Sequence, residues 1–109
     1  MAKHHGPPQK PARLDIEGEM TIYRAMELKG VLLNALEQNA ELEVNLSQVE
    51  EIDTSGLQLM VLAKREAAAR AKTFRFVEHS QAVVDALELF ELSGRLGDPV
   101  VIRSGGTTV

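Results

Sequence analysis

The spacing of apolar residues changes repeatedly along the chain, and each spacing predicts a different kind of element. Strict alternation of apolar and polar residues, as over 42–46, predicts a strand with one buried and one wetter face. Apolar residues at steps of three and four predict helices with one apolar face. The predicted strands are 14–18, 42–46, 74–77 and 99–102, and the predicted helices are 25–36, 55–72 and 83–90.

Strands and helices therefore alternate along the whole chain. We predict one α/β domain with a mixed, mostly parallel sheet of about four strands and three main helices. The alternation over 42–46 indicates that helices do not cover both faces of the sheet equally. A connection over 47–53 follows that strand, and Ser80 is expected to cap the third helix. Nine apolar residues are predicted to lie in the core: Leu42, Val44, Leu46, Leu59, Leu62, Phe76, Val83, Leu87 and Phe90.

The two ends of the chain differ in composition from the part between them. Residues 1–11 hold three of the four prolines and few apolar side chains, so we predict a disordered lead-in. Residues 104–109 are mostly small and polar and are predicted to form a tail. The folded domain is therefore expected to span 12–103, since 109 residues suit one domain.

Charge and composition exclude several classes of function. The chain has 12 Lys and Arg against 16 Asp and Glu, a net charge of −4, and 4% aromatic residues. Nucleic-acid binding is not expected, because it needs a basic stripe, often with stacking rings. The absence of cysteine excludes disulfides, thiolate metal ligands and thiol catalysis.

No segment predicts membrane insertion or export. The sequence lacks a run of about 18 apolar residues, which a membrane-spanning helix needs. The start of the chain also lacks the apolar stretch of a secretory signal. We therefore expect a cytoplasmic protein without membrane insertion.

Catalysis is not predicted either. An enzyme needs a nucleophile with a base, or carboxylates with shifted pKa values. His79 and Ser80 are sequence neighbours, so their side chains point in different directions. Neither a Walker A loop nor a Rossmann glycine motif occurs. The paired His4 and His5 are too few ligands for a metal site, so we expect neither a cofactor nor a metal.

One short segment carries candidate chemistry. Residues 52–57 are Ile-Asp-Thr-Ser-Gly-Leu and precede a strongly apolar helix. Asp53, Thr54 and Ser55 can each cap that helix by accepting its free N–H groups, and Gly56 permits a tight turn or a close approach. Two interpretations stay open. The segment is a helix cap with spare polar residues, or it displays a hydroxyl at the positive end of a helix, which favours a phosphate.

Three stretches resemble the signature of the STAS domain, which sulfate transporters and anti-sigma factor antagonists share. The central stretch joins 45–47 (Asn-Leu-Ser) to 53–57, and it resembles the family pattern N/D-L-S-x-V followed by D-S/T-x-G-L. Residues 18–19 (Gly-Glu) resemble the turn before the first family helix. Residues 90–94 (Phe-Glu-Leu-Ser-Gly) resemble its late Phe-x-x-S/T-Gly element. The resemblance covers 13–103, nearly the whole predicted domain.

The resemblance implies a non-enzymatic bacterial signalling module that binds a protein partner through Asp53, Thr54, Ser55, Gly56 and Leu57. In antagonists the hydroxyl directly after the motif aspartate is phosphorylated, which implies Thr54 as phosphoacceptor and Ser55 as second candidate. The implied partner is a serine/threonine kinase or anti-sigma factor of the histidine-kinase-like ATPase fold, or a chemotaxis or stress-signalling component. The unphosphorylated antagonist binds that kinase and frees a sigma factor, which regulates transcription.

An alternative within the same family stays open. This chain has threonine at position 54, where antagonists more commonly have serine. Threonine also occupies the corresponding position in the cytoplasmic STAS subunit of the lipid-asymmetry ABC transporter. Antagonists also often carry aspartate where this chain has Thr21. As such an accessory subunit, the chain would use the same surface to hold an ABC ATPase subunit, with Thr54 structural or occasionally modified.

Overall fold

The computed structural model describes residues 10–90 of the chain. Each strand and helix predicted within this range is present. The predicted strand at 99–102, the tail at 104–109 and most of the lead-in lie outside the described residues, so the domain limits stay predictions. The strands are β1 (Ala12–Met20), β2 (Glu41–Ile52) and β3 (Thr73–Val77), and the helices are α1 (Ala25–Gln38), α2 (Thr54–Ala69) and α3 (Gln81–Leu89).

The sheet has the order β1-β2-β3, and both pairs of neighbouring strands are parallel. Crossovers between parallel neighbours are almost always right-handed, so α1 and α2 cover the same face. These two helices contact each other, and α3 packs against β2. The predicted α/β class with three helices is confirmed. The predicted four-stranded mixed sheet is not, because the described part of the chain contains three strands and all are parallel.

The sheet buries one face and keeps the other polar. On the covered face Val44 and Phe76 lie side by side, and each is at most 1% exposed. The predicted alternation of buried and wetter positions in β2 is therefore confirmed. On the opposite face Arg13, Glu43 and Arg75 form a row across the three strands, and Arg75 donates to Glu43.

Strand β2 continues to Ile52, whereas the sequence predicted a connection over 47–53. Two register shifts against β1 cause this difference, because each gives β2 one extra residue. An extra residue breaks the alternation of buried side chains. The buried residues Leu46 and Val49 are consequently three positions apart rather than two. The bulged end of β2 leads directly into Asp53 and α2.

Seven of the nine predicted core residues are buried. Leu62 is only half-buried, and Phe90 is 47% exposed because it follows directly after the end of α3. Ser80 caps α3 as predicted, since its hydroxyl oxygen accepts a hydrogen bond from the Val83 N–H at 3.3 Å. Helix α2 ends at Ala69, before the predicted end at residue 72.

Candidate functional site

The candidate site forms where β2 ends and α2 begins. Asp53 is the N-cap of α2, and its Oδ1 accepts a hydrogen bond from the Gly56 N–H at 3.1 Å. Its Oδ2 accepts from the Ile22 N–H at 3.0 Å, and its own N–H donates to the Met20 carbonyl at 3.2 Å. One aspartate therefore caps α2 and also fixes the loop between β1 and α1 against the start of that helix.

These hydrogen bonds favour the ionised form of Asp53. The Ile22 N–H, followed by the N–H groups of Gly56 and Ser55, lowers the pKa of the Asp53 carboxyl below its ordinary value of 3.8, although partial burial opposes this. Asp53 is therefore a fixed negative charge at neutral pH. It lies at the end of α2 where the helix dipole is positive.

The predicted phosphoacceptor is exposed, whereas part of the predicted binding segment is buried. Thr54 is the first residue of α2 and is exposed, and Ser55 is half-buried. Gly56 and Leu57 are buried, so they pack the start of α2 against the rest of the domain. A phosphate on Thr54 would meet the positive end of α2 and the repulsion of Asp53.

Gly56 is needed because two backbones approach closely. A Cβ at this position would lie 2.2 Å from the Met20 carbonyl oxygen and 2.7 Å from Cγ1 of Ile52. Real Cβ atoms essentially never make contacts this short. Of the two roles that the sequence left open for Gly56, close approach is therefore the one observed.

Exposed apolar side chains and two grooves surround the start of α2. Ile22, Tyr23 and Met26 are 61%, 90% and 83% exposed. A groove of about 330 Å³ runs between the starts of α1 and α2, and Ile22, Met26 and Ser55 contribute to its lining. A second groove, of about 550 Å³, follows the outer side of α2 from Thr54. The two hydroxyls therefore lie beside open, partly apolar surface.

Metal-ligand clusters and membrane-spanning helices are not found among the described residues. Within 10–90 there is no group of three or more His, Cys, Asp or Glu that could hold a metal ion. None of α1, α2 and α3 combines the length and the apolar character that a bilayer-spanning helix needs. His79 is 2% exposed and Ser80 is 8% exposed, and neither lines a groove at the start of α2.

Comparison with known proteins identifies the family. The family model described as "Mlab, STAS domain" matches residues 6–102. This chain belongs to the STAS domain family. The resemblance seen at 45–57 is thereby confirmed. No curated protein matches the chain significantly.

Solved structures share the fold of this STAS domain. One is a protein assigned as an anti-sigma factor antagonist, tm1081 from Thermotoga maritima, with 24% identity and a TM-score of 0.66 over 75% of this chain and 72% of that chain. Another is the anti-sigma factor antagonist SpoIIAA in its unphosphorylated form, with 21% identity and a TM-score of 0.59 over 75% and 73% of the two chains. At these identities the likeness shows the fold alone.

The sequence of this STAS domain indicates the 53–57 segment but not the loop that Asp53 holds. Ile22 and Tyr23 follow β1 in a stretch without periodicity, so their exposure depends on tertiary contacts. Met26 offered one usable signal. It falls outside the face of α1 that Leu28 and Leu32 bury, which indicates a solvent-facing apolar side chain.

Proposed function

We propose that this STAS domain is a non-enzymatic bacterial signalling module that resembles an anti-sigma factor antagonist. It binds a protein partner in the cytoplasm through the start of α2, and phosphorylation of Thr54 weakens that binding. Ser55 is the second candidate acceptor. The proposed partner is a serine/threonine kinase or anti-sigma factor of the histidine-kinase-like ATPase fold, or another signalling component.

The setting of Thr54 is the observation that supports this proposal most. Thr54 is exposed at the first position of a helix that Asp53 caps through the Gly56 N–H and joins to the loop after β1 through the Ile22 N–H. Apolar side chains exposed next to such a site are typical of protein interfaces. We call this region the docking surface, and it consists of Ile22, Tyr23, Met26, Asp53, Thr54 and Ser55.

Phosphorylation should change binding far more than folding. A phosphate adds about −1.5 to −2 charges. Its attraction to the start of α2 is worth about 0.3–1 kcal/mol, and the charge of Asp53 opposes it, so the domain stays folded. A partner that covers Thr54 would have to bury the phosphate unpaired, which costs several kcal/mol. Since about 1.4 kcal/mol equals a tenfold change, affinity should fall about a hundredfold or more.

The test isolates the partner from native lysate with the whole chain and examines Thr54 by mass spectrometry. The affinity of the isolated partner is then measured for Thr54→Glu and for a control, Thr73→Glu. Thr73 is an exposed threonine at the start of β3, so this control adds the same charge away from the docking surface. We expect Thr54→Glu to bind at least about tenfold more weakly and Thr73→Glu to bind like the parent. Equal binding by all three forms would refute the proposal.

A second candidate is an accessory STAS subunit of a lipid-transport ABC system, in which the docking surface holds the ATPase subunit. Two observations favour it: threonine rather than serine at position 54, and the Mlab description of the family model. The identity of the isolated partner separates the two candidates. A kinase or anti-sigma factor supports signalling, and an ABC ATPase subunit supports the accessory role.

A further inference from the structure

A third groove, of about 370 Å³, lies between the end of β2 and helix α3. Leu89 at its rim is 76% exposed and Phe90 is 47% exposed. Water therefore contacts a sizeable apolar surface here, and covering it would be favourable. The apolar part of the lining consists of Ile52, Leu57, Ala82, Ala86, Leu89 and Phe90.

The charged part of this lining has one sign. Glu50, Glu51, Asp53 and Asp85 line the groove, and none of the lining residues within 10–90 is a lysine, arginine or histidine. Asp85 accepts a hydrogen bond from the uncharged Gln81 amide at 2.8 Å. Within the described part of the chain, the side chains of Glu50 and Glu51 have neither an ion pair nor a hydrogen bond. We call the groove, with these four carboxylates, the acidic groove.

We propose that the acidic groove binds a segment of a partner protein that is both basic and apolar. Apolar side chains of the segment would pack on Ala86 and Leu89, while its lysines or arginines meet Glu50 and Glu51. A purely apolar segment would bury carboxylates without a counter-charge, which is costly, whereas a basic one is electrostatically complementary. The groove has a volume of about 370 Å³, which is near the low end of the range of about 300–1,000 Å³ for ligand pockets. It can therefore accommodate a few side chains of such a segment.

Charge also favours a basic partner segment over two other possible occupants of the acidic groove. Residues 91–109 of the same chain contain two arginines that Glu91 and Asp98 balance, so this segment would bring no net positive charge. A second copy of the chain carries −4 and brings net repulsion. A basic amphipathic helix laid into a groove is a common mode of peptide recognition.

The probe for this proposal is a fluorescent peptide of about fifteen residues with leucines on one helical face and lysines on the other. Its binding to the whole chain is measured by anisotropy. We expect binding that the double variant Glu50→Lys/Glu51→Lys weakens about tenfold or more. The control, Glu37→Lys/Glu41→Lys, makes the same change in net charge at two exposed glutamates outside the groove, and it should bind nearly like the parent.

A scrambled peptide of the same composition distinguishes recognition by the groove from general charge attraction. The proposal requires the amphipathic peptide to bind more tightly than the scrambled one and to shift the amide NMR signals of Ala82 and Ala86. It is overturned if the peptide does not bind, if both peptides bind equally, or if both double variants lose affinity equally.

The inference rests on the proposed function, since the acidic groove shares Asp53 with the docking surface, but the two fail separately. Thr54 does not line the groove, so Thr54→Glu should keep peptide binding while it loses the isolated partner. If the peptide fails and Thr54→Glu still weakens the partner, only the groove is wrong. If the peptide result holds and Thr54→Glu binds the partner normally, only the proposed function is wrong.

Discussion

At the scale of single residues, Asp53 determines most of the geometry of the candidate site. Its two carboxylate oxygens accept from Gly56 in α2 and from Ile22 in the loop after β1. The sequence predicted the first bond, because aspartate before an apolar helix is a common N-cap. It could not predict the second, because Ile22 is 31 positions away and meets Asp53 only in the folded sheet.

Removing this carboxylate should destabilise the domain. Asp53→Ala loses a helix cap, which typically costs about 0.5–2 kcal/mol of unfolding free energy. Urea unfolding of the whole chain measures the loss. The control is Glu37→Ala, an exposed carboxylate on α1, which should change stability by less than about 0.5 kcal/mol. Equal effects of the two substitutions would show that Asp53 does not act as a cap.

The contribution of Asp53 should also depend on pH with a definite sign. Its pKa in the folded chain is lower than the ordinary 3.8 expected of the unfolded chain. The ionised cap therefore stabilises the fold above pH 3.8, and this stabilisation is lost as the pH falls through the folded pKa. The stability difference between the parent and Asp53→Ala should shrink on acidification. A difference that stays constant or grows would contradict the assignment.

Two helical glycines should respond to alanine in opposite directions. At Gly30 in α1 an added Cβ meets nothing within 4 Å, so Gly30→Ala should stabilise the domain by about 0.5–1 kcal/mol through lower backbone entropy. At Gly56 the Cβ would strike the Met20 carbonyl, so Gly56→Ala should cost about 1–3 kcal/mol. Thermal and urea unfolding check both. A stabilising Gly56→Ala would show that α2 does not approach β1 this closely.

At the scale of elements, the helices and β3 were more predictable than the end of β2. The three-and-four spacing of α3 and the alternation of β3 are local properties, and both predicted elements are present. The bulges of β2 arise from pairing with β1, which involves residues about thirty positions away. Local alternation stops at Leu46, and the strand was therefore predicted to end six residues before its end at Ile52.

Helix α3 should depend on its buried face and tolerate changes at its exposed end. Leu87 is fully buried, whereas Leu89 is 76% exposed. Leu87→Ala should cost about 2–5 kcal/mol, because it removes methyl groups and leaves a cavity. Leu89→Ala deletes the same atoms from the surface and should cost less than about 0.5 kcal/mol. Comparable losses for both, measured by urea unfolding, would mean that α3 is rotated about its axis.

At the scale of the whole molecule, the α/β class and the 53–57 segment were predictable, and the remainder of the docking surface, formed by Ile22, Tyr23 and Met26, was not. Three motifs in order indicate the family, local capping chemistry marks the 53–57 segment, and the family resemblance alone singles out Thr54 within it. The docking surface joins the loop after β1 to the start of α2, and only the parallel pairing of β1 with β2 brings them together. Exposed Tyr23 and Met26 belong to it for that reason.

The proposed role of Thr54 is tested by the affinity of the isolated partner for the Thr54-phosphorylated chain, relative to the unphosphorylated chain. Circular dichroism of both forms controls for folding. We predict that both forms are folded and that phosphorylation weakens binding about a hundredfold or more, because the partner cannot bury the added charge unpaired. Equal affinity of the two folded forms would refute regulation through Thr54 and would leave this residue with no role beyond the start of α2.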